Sequence, residues 1–386
     1  MKALVLSAET PSACAVVRGL HAAGFEVVVL AEAWYAPAAL SRCCAKSRVV
    51  GVWRSTEIEA AVLAERPDVV VPVTEGDLAR LAPVRAKVEE RTRVVTPSAT
   101  ALDEATDKSF TCKAAAALGI AVPHEWVLGP SDAAEAPAPF PLVAKPARSR
   151  VLRPDGTVRG ATARYVADAA ALAKVHSENL AAGTDTIVQV PVAGEGLLAS
   201  VLLREDGETS LVFVHRRVRE SRPEGGPSAC AVSIAPDARF VDPARHLAQA
   251  LGLVGVPAQF EFRVDGDAPP VLLDVNPRPW GTLGLALDCG VNFYGLAARH
   301  ATGDPLPSPP PPYRAGVERH YLPFEVLRAW SVVFGHPQPG YPGPWPDRSS
   351  AAFEWLFLPH EGLVGKLDDP LPAFGDLVRL AVRAMS

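Results

Sequence analysis

Lysine is scarce in this chain: eight stand against thirty arginines in 386 residues. A lysine at a chemically sensible place therefore carries more weight than usual. No basic run or stripe is present, and the net charge is −5 with a pI near 6.0. Nucleic acid, whose binding needs phosphate neutralisation, is not an expected partner. No window reaches the ~20 uninterrupted apolar residues of a spanning helix, and the opening run from Met1 to Ser7 is too short for the apolar region of a signal peptide. No membrane partner and a cytoplasmic location are the expectation. The six cysteines, Cys14, Cys43, Cys44, Cys112, Cys230 and Cys289, show neither CxxC nor Cys/His spacing, so no zinc site or disulfide framework is indicated. A chain of this length buries enough core to fold without such staples. Proline, by contrast, is abundant: 38 residues, about twice the average frequency. Hydrophobic residues at 48% and charged residues at 21% fit a globular protein and not a disordered one.

The first hundred residues alternate buried-strand runs (Ala3 to Leu6, Glu26 to Leu30, Ser47 to Val50, Val69 to Val73) with helical patterns, which predicts a parallel sheet with crossover helices. Thr10-Pro11 is a helix-start signal, and that helix stops at Gly24. The intervening turn, Ser7-Ala8-Glu9-Thr10-Pro11-Ser12, lacks the glycine fingerprint that lets backbone approach a pyrophosphate. The unit reads as a scaffold with a ligand at its strand ends, and a nicotinamide site is disfavoured.

From Ser98 the texture changes. A capped helix to Thr106 is followed by Asp107-Lys108, an alanine-rich helix ending at Leu118-Gly119, and a Pro/Ala-rich connector from Pro130 to Pro139. Then come a short strand ending in Lys145-Pro146, a polar loop from Ala147 to Gly160, a helix from Val166 to Val175 and a strand from Ile187 to Val192. Strand signals dominate to Asn276. The run Pro307-Ser308-Pro309-Pro310-Pro311-Pro312 reads as an extended linker into a C-terminal region with Trp330, Trp345 and Trp355. That region is a substrate cap, a homodimer surface or packing material, and Asp368-Asp369-Pro370 marks a helix boundary within it.

The stretch richest in chemistry is Gln259 to Arg263, a turn at Asp265-Gly266-Asp267, and Val271 to Arg278. Both flanks alternate, so a hairpin is predicted with Gln259, Glu261 and Arg263 on one face and Leu272, Asp274 and Asn276 opposite them. Two carboxylates and an amide oxygen then converge, a hard-oxygen set that suits Mg²⁺ completed by phosphates and water. A solvated outer face is the competing explanation; Arg278, just past the strand and placed to meet negative charge, favours a site. Alternation from Leu211 to Val218 likewise puts His215, Arg217 and Arg219 on one face, suited to a triphosphate or a carboxylate.

Glu261 and Asp274-Val275-Asn276-Pro277-Arg278, with Asp107-Lys108 and Lys145-Pro146 upstream, resemble the ATP-grasp superfamily, in the branch of carbamoyl phosphate synthase large-chain halves and carboxylate–amine ligases. The resemblance covers roughly residues 1 to 300 in the right order. It implies a multidomain α/β and α+β architecture: a Rossmann-like pre-ATP-grasp domain (1–100), linker helices (101–130), a lid subdomain (131–192), a metal- and ATP-binding subdomain (193–305), and a Pro-rich linker with C-terminal appendage (306–386). It further implies ATP and Mg²⁺ as cofactors and small-molecule carboxylate and amine substrates joined through an acyl phosphate. Lys108 and Lys145 would reach the phosphates under a cover formed by residues 148–160. Gln189, Val190, Pro191 and Val192 would line the adenine, and Glu195 would hold the ribose. Glu261 and Asp274 would meet the nucleotide and, with Asn276, the metal; Arg278, Arg217 and Arg219 would be catalytic. An acidic residue commonly stands where this chain has Val190, which removes one acceptor for the adenine amino group. Within the same resemblance a bicarbonate-activating enzyme and a silent ATP-binding subunit are the alternatives. The turn Ser7 to Ser12, the loop Thr74 to Asp77 and the stretch Arg217 to Ser228 are the candidate substrate contacts.

Overall fold

A computed structural model describes residues 1–51, 53–349, 354 and 361–385. Its first unit is a five-stranded parallel sheet: β1 (Lys2–Leu6), β2 (Glu26–Ala31), β3 (Lys46–Val49), β4 (Val69–Pro72) and β5 (Arg93–Val94), in the order β3-β2-β1-β4-β5. The buried valine runs of β1, β2 and β4 are those of strands covered on both faces. Helices α1 (Pro11–Ala22), α2 (Ser55–Glu65), α3 (Glu75–Leu81) and α4 (Arg85–Glu89) make the crossovers. Thr10 caps α1 through its side chain with Pro11 in the first turn, as its sequence predicts. The sheet order reverses between β1 and β4, where open α/β sheets take ligands.

Helices α5 (Ala99–Thr106) and α6 (Lys108–Ala117) lead to a small antiparallel sheet. Its strands are β6 (Glu125–Leu128), β7 (Leu142–Pro146), β10 (Arg164–Val166) and β11 (Thr186–Gln189), in the order β10-β7-β11-β6. Between them the chain forms a hairpin, β8 (Arg150–Leu152) with β9 (Val158–Gly160), where a polar loop is expected from sequence. The hairpin packs against α3 of the first unit. Helix α7 runs Ala169–Ala182 with Asp168 as its cap; Val166 belongs to β10, so the expected helix starts three residues late and continues past Val175. One face of this sheet packs Leu142, Ala144, Val166 and Val188 on α7. The alternate residues Glu125, Val143, Lys145, Ile187 and Gln189 face the other way.

The large sheet is antiparallel, in the order β16-β15-β12-β13-β14-β17. It contains β12 (Glu195–Leu203), β13 (Thr209–Glu220), β14 (Ser228–Ile234), β15 (Pro257–Val264), β16 (Val271–Asn276) and β17 (Glu318–His320). One face buries Leu197, Ala199, Val201, Phe260 and Phe262 with α8 (Ala238–Ala250). From the other face Leu202, Leu211 and Phe213 join one core with α1, α9 (Leu283–Asp288) and α10 (Phe293–Ala301). The first unit and the large sheet are thus locked together, which fixes the cleft beneath the small sheet.

The C-terminal region is woven into the same body. β17 pairs with β14, after which come α11 (Leu322–Phe334) and α12 (Leu371–Met385), the latter starting directly after Asp368-Asp369-Pro370. Buried Asp369 accepts from Arg18 Nε at 2.9 Å and Ser41 Oγ at 2.6 Å, tying this region to α1. Trp330 is exposed on α11, and Trp355 lies outside the described residues. No described helix is long and apolar enough to cross a membrane.

Candidate functional site

The site begins with a helix cap. Asp107 accepts from the backbone of Ser109 and Phe110, which starts α6 and sets Lys108 in its first turn. From there Lys108 Nζ forms an ion pair with Asp274 on β16. Burial alone would lower the Lys108 pKa, but Asp274, Glu75 and Glu261 hold the ammonium charged and raise it above its ordinary value. Lys145, at the end of β7, is 8% exposed, and the only side-chain hydrogen bond of its ammonium among the described residues is a marginal 3.5 Å contact to the Leu273 carbonyl. Burial and the neighbouring Lys108 charge push its pKa down. Two ammonium groups from different elements therefore meet the same acidic strand.

The β15–β16 hairpin forms with Glu261 opposite Asp274 and Gln259 opposite Asn276. Asn276 Nδ2 donates to Glu261 Oε1 at 3.1 Å, so Glu261, Asp274 and Asn276 converge as the alternation predicts. The predicted face breaks one step earlier. A register shift between Glu261 and Phe262 turns Leu272 into the core with Val275, away from Asp274. Among the described residues no group of three or more His, Cys, Asp or Glu side chains is placed to hold a metal. The present set is two carboxylates and an amide, the sparse ligation that a Mg²⁺ ion keeping its waters and phosphates accepts.

Arg217 crosses β12 over Gly196, where a Cβ would stand 2.9 Å from its Cδ, and donates from Nη2 to Glu261 Oε2 at 2.6 Å. Arg278 donates to Glu75 Oε1 at 2.7 and 3.2 Å, joining the end of β16 to the first turn of α3. Burial would raise the Glu75 carboxyl, but Arg278 and Lys108 hold it down at about 2. Arg219 behaves differently from its prediction: bulges around it break the alternation, and it is held by Glu325 of α11 at 2.7 to 3.1 Å. It does not share the Arg217 contact with Glu261. His215 is fully buried, shares a 2.8 Å hydrogen bond with Thr282 Oγ1, and has its pKa pushed to about 3 by burial and Arg217, which makes it a neutral structural group.

The end of β11 leads into the segment expected to receive adenosine. Gln189 is buried, Val190 is exposed with its N–H on the His124 carbonyl, and Pro191 and Val192 are half-buried. Glu195 is exposed 3.8 Å from Arg216. With Arg217, Glu220, Arg263 and Arg328 it lines a cavity of ≈ 230 Å³. One participant escaped the sequence, Glu125 beside Gln189; Glu75, the partner of Arg278, and the Glu220–Arg263 pair at 2.7 Å fall in stretches that the sequence singles out, though it gives no sign of their pairing. The alternation of β15 marked Arg263, and the Thr74 to Asp77 loop was flagged as a whole. Nothing local signalled Glu125.

Residues 200–321 match the profile of the family described as "ATP-grasp in the biosynthetic pathway with Ter operon". No curated protein matches the chain in sequence. In structure it is similar to an L-amino acid ligase from Bacillus licheniformis (TM-score 0.64, 15% identity, 83% of this chain and 80% of that one). It is similar to the biotin carboxylase domain of 2-oxoglutarate carboxylase from Hydrogenobacter thermophilus, determined with MgADP, ADP and bicarbonate (0.63, 16%, 82% and 73%). A third likeness is to N5-carboxyaminoimidazole ribonucleotide synthetase from Thermotoga maritima (0.56, 16%, 82% and 79%). With its parallel first unit, small antiparallel sheet and acid-bearing large sheet in this order, the chain is a protein of the ATP-grasp fold.

Proposed function

We propose that this protein is an ADP-forming ligase that uses ATP and Mg²⁺ to activate a carboxylate as an acyl phosphate and passes the acyl group to an amine. The observation that carries it is the meeting of Lys108, Lys145 and Arg217 with the strands that bear Glu261, Asp274 and Asn276, with Arg278, paired to Glu75, close enough to feel the same carboxylates. The residues fit the nucleotide and metal. Lys145 is buried with almost no partner, Gln189 Oε1 and Glu125 Oε2 are buried acceptors without one among the described residues, and the oxygen set suits Mg²⁺.

Glu261, Asp274 and Asn276 would hold the metal, while Lys108 and Lys145 offset phosphate charge. Gln189 to Val192 and Glu195 would receive the adenosine. Bound there, MgATP would supply the phosphoryl group that activates the substrate carboxylate, with ADP as the leaving group. The amine nitrogen then attacks the acyl carbon, phosphate leaves with the acyl–oxygen bond broken, and the amine proton passes to solvent. Arg278 and Arg217, freed as Glu75 and Glu261 find other partners, would stabilise the acyl phosphate and the developing oxyanion. Such stabilisation by fixed charge is what phosphoryl transfer asks of a protein. Arg219, held by Glu325, would keep β13 in place.

The test is ADP release across panels of carboxylates and amines, bicarbonate included, with hydroxylamine trapping of the activated acid. ADP and hydroxamate formed together with one acid support the proposal. ADP release with bicarbonate alone would replace it by a carboxylating reaction, and tight ATP binding without ADP release under any pairing would replace it by a silent nucleotide-binding role.

A further inference from the structure

The ≈ 230 Å³ cavity at the end of β13 adjoins Glu261 through Arg217, yet the nucleotide reading leaves most of its lining unused. Five arginines and two glutamates line it, with Val218 and Pro223 as the apolar side chains, so its occupant is polar. The cavity falls below the roughly 300–1,000 Å³ of drug-sized ligand sites, so the occupant is also small. Pro223 contributes to the wall from the loop 221–227, and the C-terminal region braces that loop: Tyr341 Oη donates to the Pro223 carbonyl at 2.9 Å and the Gln338 N–H to Glu224 Oε1 at 3.2 Å. Arg328 of α11 lines the cavity from the same region, beyond the residues 200–321 that match the family profile.

The arginines differ in what holds them. Arg219 is held by Glu325, and Arg328 donates to both oxygens of Glu354 at 3.0 and 3.2 Å and to the Glu220 carbonyl at 3.3 Å. Arg217 and Arg263 converge on a single oxygen, Glu220 Oε1, at 3.3 and 2.7 Å. Arg217 also donates to Glu261 and keeps a buried Nε–H without a partner among the described residues. Once Glu261 turns to a metal, two largely buried guanidinium groups are left on one carboxylate. An anion entering the cavity offsets that surplus charge and takes up the spare donors.

We infer that this cavity receives an anionic group, carboxylate or phosphate, carried by one of the two substrates in addition to the carboxylate that is activated, and that Arg263 and Arg328 set the preference for it. The inference rests on the ligase reading above, in which Glu261 turns to the metal. Because Arg217 answers to both Glu261 and the cavity, the metal–nucleotide complex and the anion each strengthen the binding of the other. A neutral isostere in place of the anion leaves the guanidinium groups unpaired, and a polar site rejects such an analogue more sharply than shape alone does.

The test is calorimetric titration of L-glutamate, L-glutamine and O-phospho-L-serine into the full chain, with and without Mg²⁺ and a non-hydrolysable ATP analogue. Glutamate reports a carboxylate site and phosphoserine a phosphate site. The expected result is that one of these two binds tighter than glutamine by about tenfold or more, and tighter still when the analogue is present. In Arg263→Gln and in Arg328→Gln that margin should shrink to about a tenth of its parent value, while the affinity for the analogue stays as in the parent, which also shows that the variants are folded. Anionic probes bound no better than glutamine, no binding of any of the three, binding indifferent to the analogue, or a margin unchanged in both variants overturns the inference. ADP release with hydroxamate formation would then still uphold the ligase proposal. Anion binding as expected, without ADP release under any pairing, would remove the ligase and leave the anion site.

Discussion

Glu75 and Asp77 stand two residues apart in the first turn of α3, and the protein treats them in opposite ways. Glu75 faces the cleft, where burial would raise its carboxyl but Arg278 and Lys108 hold it down at about 2. Asp77 faces inward and is fully buried, which raises it to about 6 although Ser7 Oγ, Val73 N and Thr74 N all donate to it. Glu9, held by the backbone of Ala8 and Glu32 in the turn after β1, is likewise raised by burial, to about 7. The partners explain the difference. Neutral donors satisfy hydrogen bonds without offsetting the loss of water around a charge, whereas cations do both. The turn side of the first unit is a brace of neutral donors around its acids, tight enough to hold Ser7 at φ 70. The cleft side is a store of cations parked on carboxylates.

That contrast is open to attack, most severely at the acids of the cleft. Glu261→Gln and Asp274→Asn should each lower ATP turnover by about 10²–10³-fold, read as ADP release, a loss far larger than any fall in the folded fraction at the assay temperature. Next in size, Arg278→Met leaves Glu75 partly buried with no hydrogen-bonded cation, only the more distant charges of Lys108 and Arg150. A loss of about 1–3 kcal/mol in denaturant unfolding is expected, discounted for the pair's partial exposure. The pH dependence separates the two regions by sign. Asp77 and Glu9 titrate higher in the folded protein than in the unfolded chain, so their contribution is greatest below about pH 4 and falls as pH rises to about 7. Glu75 titrates lower when folded, so its contribution is present above its unfolded pKa near 4.5 and is lost as pH falls toward 2. Asp77→Asn should therefore flatten the decline between pH 4 and 6 in urea midpoints; an unchanged slope would mean that Asp77 is not the buried acid described. The smallest effect is expected from Gly196→Ala. Its Cβ would meet Arg217 Cδ at 2.9 Å and loosen the hold on Glu261, altering the Mg²⁺ dependence of ATP binding by less than about tenfold.

Much of this was legible along the chain because it is local. The parallel unit followed from valine runs alternating with helices, the Thr10 and Ser98 caps from single residues, and the convergence of Glu261, Asp274 and Asn276 from alternation around an Asp-Gly turn. What escaped depends on irregularity or distance. A bulge inverts a face without leaving a compositional trace, which is why Arg219 meets Glu325 and Leu272 enters the core. The Arg278–Glu75 pair spans 203 residues and the Arg18–Asp369 tie 351, and no period encodes either. The 150–160 hairpin is held by its own strand pairing and by α3, contacts that a polar composition reads as loop. Glu125 gained meaning only when β6 paired with β11 and set it beside Gln189.

The most direct test of the central claim, that the cleft's paired charges hold a metal–nucleotide complex, is calorimetric titration of ATP into the full chain with Mg²⁺ and with chelator, in the parent and in Asp274→Asn. The account predicts binding that depends on Mg²⁺ in the parent and loses that dependence in the variant. Binding of ATP equally tight with chelator, or a variant as responsive to Mg²⁺ as the parent, would contradict it.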